Sequence, residues 1–541
     1  MSNRSEVDAT KTRVSANTGG PHSENITEFG YKEEMAKDLG GFTLFAVAFG
    51  FVSIATGIFT TYGSVLKTSG PIGIWTWPIV VIGQLAVALI FGALAARIPV
   101  TGYAYQWISR LANPVLGWIM GWVSFTFLGV VVVAVDYTIA STVLPVLLGY
   151  VGTTMNAWFI TALVILLQAI LVSASTHATQ RVNNVAVILQ IVGMISLVVL
   201  LFGVGFFTHQ LDFANLFSTG DIPRDGYFSL GTATHAGPWS MGFLLGAFTI
   251  VGFESAANLA EETKNPAFVV PRAMWRAVLS LGIVGFLFLV SVTALAGDPV
   301  ALASSGTPVA DVIARVLGSF VGNALLVLVV ISIFSCGLVI TMSGARLIWA
   351  MSRDERFPGW RVFKRVSKSR GTPMNATIFM FIVGETILAV FSRSTDALFA
   401  LFSAATLLPA IIYAGTVLLY IVKRKSLPPT KGFKLGRWEG PVLVVAVLWL
   451  TYELLIFRDE SFRASWIYVC VTLAIGAVYF AVLLTRHGVR GLSMPEMGSV
   501  DAELDADAEL LVIDAELDAD AELLVIDAEL DADGELLKDP R

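Results

Sequence analysis

The sequence predicts an all-α polytopic membrane protein with 12 transmembrane helices. Three observations predict it. Of the 541 residues, 55% are hydrophobic and 14% are charged, which is too apolar for a soluble globular chain. Apolar runs able to cross roughly 30 Å of hydrocarbon recur twelve times between residues 42 and 485. Lysine and arginine crowd into alternate connecting segments, as the positive-inside rule requires.

The first 40 residues are polar and lack the apolar core of a signal peptide. They read as a disordered cytoplasmic leader. Residues 41–486 carry the spans, placed near 42–66, 72–97, 115–148, 156–175, 184–207, 239–260, 273–296, 320–350, 375–392, 397–422, 441–457 and 465–485. The third and eighth are long, which implies tilt or extension beyond the bilayer. The loop at 208–238 is the longest on the outer side, and 301–317 reads as a short amphipathic helix lying at the interface. With the N-terminus inside, inner segments hold 29 Lys/Arg and outer ones six: Lys67, Arg224, Arg315, Arg393, Arg458 and Arg463. That split puts both termini in the cytoplasm and the protein in the cell membrane as a multi-pass chain.

The net charge of −6 hides two parts. Residues 501–541 hold 16 of the 41 acidic residues and two basic ones, Lys538 and Arg541. The rest is mildly basic. Asp501–Ile513 and Asp514–Ile526 are the same 13 residues, DAELDADAELLVI, with a degraded third copy after them. Thirteen fits neither a heptad nor an 11-residue coiled-coil repeat. Residues 487–541 therefore read as a solvated acidic cytoplasmic tail. The two cysteines, Cys336 and Cys470, lie in apolar spans and form no disulfide framework or zinc pattern.

Chemistry concentrates in two spans. The first reads FGFVSIATGIFTT over 49–61, with small and β-branched residues at mid-span, where helix propensity is poor. The sixth carries Gly242, Gly246 and Gly252, followed by Glu254 inside the apolar run and then the charged run Glu261 to Lys264. Ionisable groups in a bilayer cost roughly 2.5–3.5 kcal/mol on insertion scales and mark cavities or pathways. Interrupted helices, first and sixth in order, point to an inverted-repeat transporter with halves 41–209 and 239–422 and two further helices in 441–485. Packing through small residues is the plainer alternative for each span alone. A broken helix offers N–H groups to an anion and C-terminal carbonyls to a cation. A carboxylate fits the N–H groups near Thr56 and Gly57; an ammonium fits carbonyls near Ser53, Phe248 and Val251.

Four runs carry a family resemblance. Gly252–Pro271, GFESAANLAEETKNPAFVVP, resembles the sixth-helix signature of the amino acid–polyamine–organocation (APC) superfamily. Ser53–Pro71, SIATGIFTTYGSVLKTSGP, resembles its amino acid/choline transporter branch. PVTGYAYQW at 99–107 and Ser352-Arg353-Asp354 with Phe357-Pro358 agree. The resemblance covers roughly residues 35–490. It implies a LeuT-like 5+5 inverted repeat plus two C-terminal helices, with substrate between spans 1, 3, 6, 8 and 10. It implies carboxylate contacts at Thr56 and Gly57, a gating aromatic at Phe248 and an acidic proton- or amine-handling residue at Glu254. Several relatives carry a lysine in span five in place of a sodium ion; here that span has Asn183, Asn184 and Gln190 and no lysine.

The candidate substrate-binding residues are thus Ser53, Ala55, Thr56, Gly57, Asp136, Phe248, Val251 and Gly252. Asp136, midway along span three, is read as a counter-ion for an amino group or, alternatively, as a packed carboxyl. Glu254, Ser332 and Ser335 are the coupling candidates. The serines, three apart, share a helix face and with span-one carbonyls suit a sodium site, although bonds back to their own helix compete. Glu385 in span nine reads as structural. No catalytic, metal or nucleotide motif is present: there is no Walker loop, and His177, His209, His235 and His487 are not at metal spacing. The expectation is a non-enzymatic secondary active permease of a small amino acid or amine. It works by alternating access with H+ or Na+ as coupling ion and no cofactor. Its partners are the small-molecule substrate and the lipid bilayer; no nucleic acid is involved, and protein partners are unknown, with a partner-binding or regulatory tail as the alternative reading of the repeat. A choline/GABA/polyamine-type carrier is the alternative reading, and a non-transporting membrane sensor on a transporter scaffold is the second.

Overall fold

A computed structural model describes residues 29–31, 37–367, 371–391 and 395–487. The predicted acidic tail beyond 487 and most of the leader lie outside the described residues. Within them the chain is helical, with only isolated β-bridges such as Leu39 with Thr263. In order, the helices are α1 (Gly41–Val52), α2 (Ile54–Thr68), α3 (Thr76–Ala95), α4 (Tyr103–Leu111), α5 (Pro114–Thr138), α6 (Leu144–Leu148), α7 (Thr154–Ala174) and α8 (Thr176–Phe207). Then come α9 (Pro238–Gly242), α10 (Leu244–Thr249), a 3-10 helix at Phe253–Glu262, α11 (Pro266–Ala294), α12 (Pro299–Ala303) and α13 (Pro308–Arg353). The last are α14 (Trp360–Phe363), α15 (Met374–Phe391), α16 (Thr395–Lys423), α17 (Glu439–Ile456) and α18 (Arg463–His487).

Among the described residues, eleven stretches are long and apolar enough to span a membrane. The ninth predicted span is the twelfth: Met374–Val390 is apolar but short, roughly 26 Å at 1.5 Å per residue. Local sequence sets the helix starts. Asn113 accepts from the Val115 N–H at 2.7 Å with Pro114 in the first turn of α5, and Ser175 caps α8.

The core is built on α5 and α13, which pack on each other. Residues 121–140 and 335–352 are buried throughout. By contrast α7, α8 and α18 expose Leu163, Ile170, Val185, Val192, Ile467 and Val478, an apolar outer surface suited to lipid.

Three details differ from expectation. The long third span is α5 joined to α6 through a π-helical turn at Ile139–Val143, which inserts about one extra residue there. The long α13 is two helices merged across Gly318, at φ 75° and ψ 168°. The interfacial segment expected at 301–317 is therefore α12 and the first part of α13. Finally, part of the leader is packed: Phe29 and Tyr31 are buried.

Both expected breaks are present. Span one stops at Val52 and restarts at Ile54, with Ser53 between at φ 33° and ψ 94°. Span six stops at Thr249 and resumes as the 3-10 helix after Gly252, whose φ of 84° favours glycine. These are the first and sixth crossing segments.

Candidate functional site

The two breaks meet. A Cβ at Gly57, in the first turn of α2, would overlap the Thr249 side chain at the end of α10. A Cβ at Gly252 would overlap the Phe51 ring at the end of α1. Four half-helix ends therefore converge on two glycine contacts. The positive end of α2 faces the negative end of α10, which is the pairing of poles that a zwitterion needs.

Ser53 organises the first break. Its side chain accepts from Thr56 Oγ1 at 2.8 Å and from the Thr56 N–H at 3.4 Å, and its carbonyl accepts from the Gly57 N–H at 3.1 Å. The N–H groups of Thr56 and Gly57, the expected carboxylate donors, are thus engaged. The donors that head α2 are those of Ile54 and Ala55. At the second break the Ile250 N–H bonds Gly246 O, which leaves the carbonyls of Ala247, Phe248 and Thr249 at the end of α10.

Tyr413 on α16, which carried no sequence signal, ties the second break together. Its hydroxyl accepts from the Gly252 N–H at 2.8 Å and donates to Glu254 Oε2 at 2.7 Å. Glu254 is buried, as is Tyr413.

Behind the first break lies a polar seam between α8 and α13. Gln190 Nε2 donates to Ser53 Oγ at 3.4 Å, and Ser335 Oγ donates to Asn183 Oδ1 at 2.9 Å. The Cys336 thiol donates to Phe51 O at 2.9 Å. Ser335 thus bonds α8, and the carbonyl at the end of α1 is held by Cys336. Ser332 is buried nearby on the same helix.

Beyond the break, toward the face opposite the N-terminus, is a cavity of ≈ 100 Å³. Thr60, Thr61 and Ser64 of α2, Phe248 of α10, and Phe402, Ser403 and Thr406 of α16 line it, and among the described residues no charged side chain does. Phe248 and Phe402 meet edge to face with centroids 5.9 Å apart. Of the substrate residues expected from sequence, Phe248 lines this cavity. Ser53, Ala55, Thr56, Gly57, Val251 and Gly252 lie buried at the breaks. Asp136 lies elsewhere: it faces Gln168 on α7, which donates to Oδ1 at 2.8 Å, and the backbone of α13 at Gly337.

The N-terminal face is shut. Glu261 and Glu262, which look like a charged loop in the sequence, are buried. Glu261 takes a two-pronged bond from Arg353 at 2.9 and 3.1 Å, and Glu262 one from Arg346 at 2.6 and 3.2 Å. Arg353 also stacks on the Tyr31 ring at 3.7 Å. Tyr31 donates to Asp354 at 2.9 Å, joined there by Tyr105 at 2.7 Å. Burial, then the Asp354 charge, pushes the Tyr31 hydroxyl up to about 12, so it stays neutral. The signal for this lock was Arg346 inside an apolar span, a position that demands a buried acid.

Two broken helices abutting beneath a small cavity, in a bundle coated with apolar side chains, define a membrane transporter. The chain matches the amino acid permease family model over residues 39–483. It is 26% identical to amino-acid permease BAT1 of Arabidopsis thaliana, covering 79% of this chain and 86% of that protein. A rice homologue of BAT1 is also 26% identical, over 86% of this chain and 94% of its own. The GABA-specific permease of Saccharomyces cerevisiae is 24% identical over 77% and 75%. The protein belongs to the amino acid permease family, within the APC superfamily, and is a membrane amino acid transporter.

Proposed function

We propose that the protein moves a small, uncharged-side-chain amino acid across the cell membrane by alternating access, with both termini cytoplasmic. The carrying observation is the Gly57–Thr249 contact, where the head of α2 meets the tail of α10. The substrate carboxylate is assigned to the N–H groups of Ile54 and Ala55, and its ammonium to the carbonyls of Ala247 to Thr249. Residues 41–209 and 239–422 act as the two repeats, with 441–485 flanking them. A cavity on the far side of the breaks and a packed N-terminal face favour an outward-facing state.

The uncharged cavity lining favours a zwitterion over a polyamine, which would require an acid there. The driving ion is assigned to the proton. Ser335 and the Phe51 carbonyl, which would share a sodium site, are already bonded to Asn183 and Cys336. Uptake into proteoliposomes across neutral, acidic and basic amino acids, GABA, choline and polyamines tests the reading, with pH and sodium gradients imposed separately. Binding without flux would sink it in favour of a sensor.

A further inference from the structure

Besides the ion-paired Glu261 and Glu262, three carboxyls are buried among the described residues: Glu254, Asp136 and, on α17, Glu453, whose Oε2 has no hydrogen-bond partner there. Glu254 and Asp136, in the spans that carry the breaks and the central core, are served differently. Glu254 has the Tyr413 hydroxyl. Asp136, fully buried, has one neutral donor, Gln168 Nε2, on Oδ1. That same nitrogen also donates to Phe334 O at 3.1 Å. Among the described residues Asp136 Oδ2 has no hydrogen-bond partner, and neither has Gln168 Oε1. Among the packed elements, α7 carries no titratable side chain, and α13 presents the Cys336 thiol. The end of α1 presents the Phe51 carbonyl. On α15, which packs on α5 and α7, the acid is Glu385, partly exposed. No cation among the described residues pairs with Asp136. An ionised carboxylate here would be enclosed with a second orphan acceptor and no counter-charge, an arrangement that proteins avoid by keeping the proton.

We propose that Asp136 is the group that takes up and releases the coupling proton, with Gln168 as its positioning residue. This deepens the permease reading and rests on it. The geometry links the acid to the moving helix. A Cβ at Gly337 would overlap Asp136 Oδ1 and Gln168 Nε2, so the α13 backbone presses on the pair. The preceding residue, Cys336, holds the end of α1 through Phe51 O. When α1 leaves α13, water reaches both the carbonyl and the carboxyl. The O–H bond of Asp136 then breaks heterolytically: the proton passes to water and the electron pair stays on the carboxylate. Re-closure of α1 on α13 requires a proton to return, which ties each cycle to one protonation.

The test is Asp136→Asn in proteoliposomes, with substrate counterflow at equal pH measured beside acid-driven accumulation and dye-reported proton influx. Asparagine keeps an acceptor for Gln168. Expected are counterflow within about threefold of wild type and loss of pH-driven accumulation and proton influx. Retained acid-driven accumulation overturns the proposal, as does equal loss of counterflow in correctly inserted protein. Wild-type protein with no counterflow for any amino acid would sink the permease reading instead. Should Asp136→Asn not insert, Gln168→Leu serves: losing the donor moves the pH–uptake profile toward higher pH, and an unmoved profile overturns the assignment.

Discussion

The hydroxyl of Tyr413 donates to Glu254 at 2.7 Å while accepting from the Gly252 N–H at 2.8 Å. One side chain on α16 thereby fixes the break in span six to the acid beyond it. Both partners are buried, so removing the hydroxyl strands a donor and an acceptor together, at roughly 1–3 kcal/mol each. Tyr413→Phe should lower the thermal midpoint of the detergent-solubilised protein and slow counterflow and net uptake alike. An unchanged midpoint with normal flux would show that the brace is dispensable.

Glu254→Gln keeps an oxygen for Tyr413. Its expected effect is a moderate, parallel fall in exchange and gradient-driven uptake, less than about tenfold. A loss confined to gradient-driven uptake would assign the driving proton to Glu254 rather than Asp136.

Gly57→Val places a branched side chain where Thr249 already sits. Overpacking of this kind costs about 1–3 kcal/mol, and here it holds the two half-helices apart. Substrate affinity, read as the concentration dependence of counterflow, should weaken at least tenfold while membrane insertion stays normal. Wild-type affinity would move the substrate away from this contact.

Glu262→Gln leaves Arg346, which is 1% exposed, without its counter-charge. Breaking a buried pair costs about 3–5 kcal/mol. The closed N-terminal face should yield first, so a cysteine introduced at Ala256 should react faster with a maleimide supplied from that side. Equal labelling rates in the parent and the variant would argue that the pair contributes nothing to closure.

Deletion of 501–541 should leave uptake intact, because the repeat reads as a solvated acidic tail. Lost uptake with normal insertion would make the tail a working part.

Much of the architecture was legible in the residues themselves. Hydropathy located the twelve apolar segments, since each must bury its backbone by itself in lipid. The run Ser53 to Gly57 and the residue Gly252 marked the breaks, because helix propensity and positive φ are local properties. What was not legible was pairing. Glu261 and Glu262 read only as a charged run at the end of span six, and only the fold carries Arg353 and Arg346 to them across 92 and 84 residues. Asp136 read as either a counter-ion for an amino group or a packed carboxyl. Only the packing of α7 and α13 turns it to Gln168 and away from the cavity.

The sequence alone thus determined that the chain is a multi-pass membrane protein, where its apolar segments lie, and which two helices break, since those follow from solvent transfer and backbone conformation one segment at a time. The tertiary structure decided which half-helix ends face each other, which acids are braced, ion-paired or left with an orphan oxygen, and which face is shut. Those depend on side chains meeting across distant segments, and a linear pattern does not encode the register in which two helices pack.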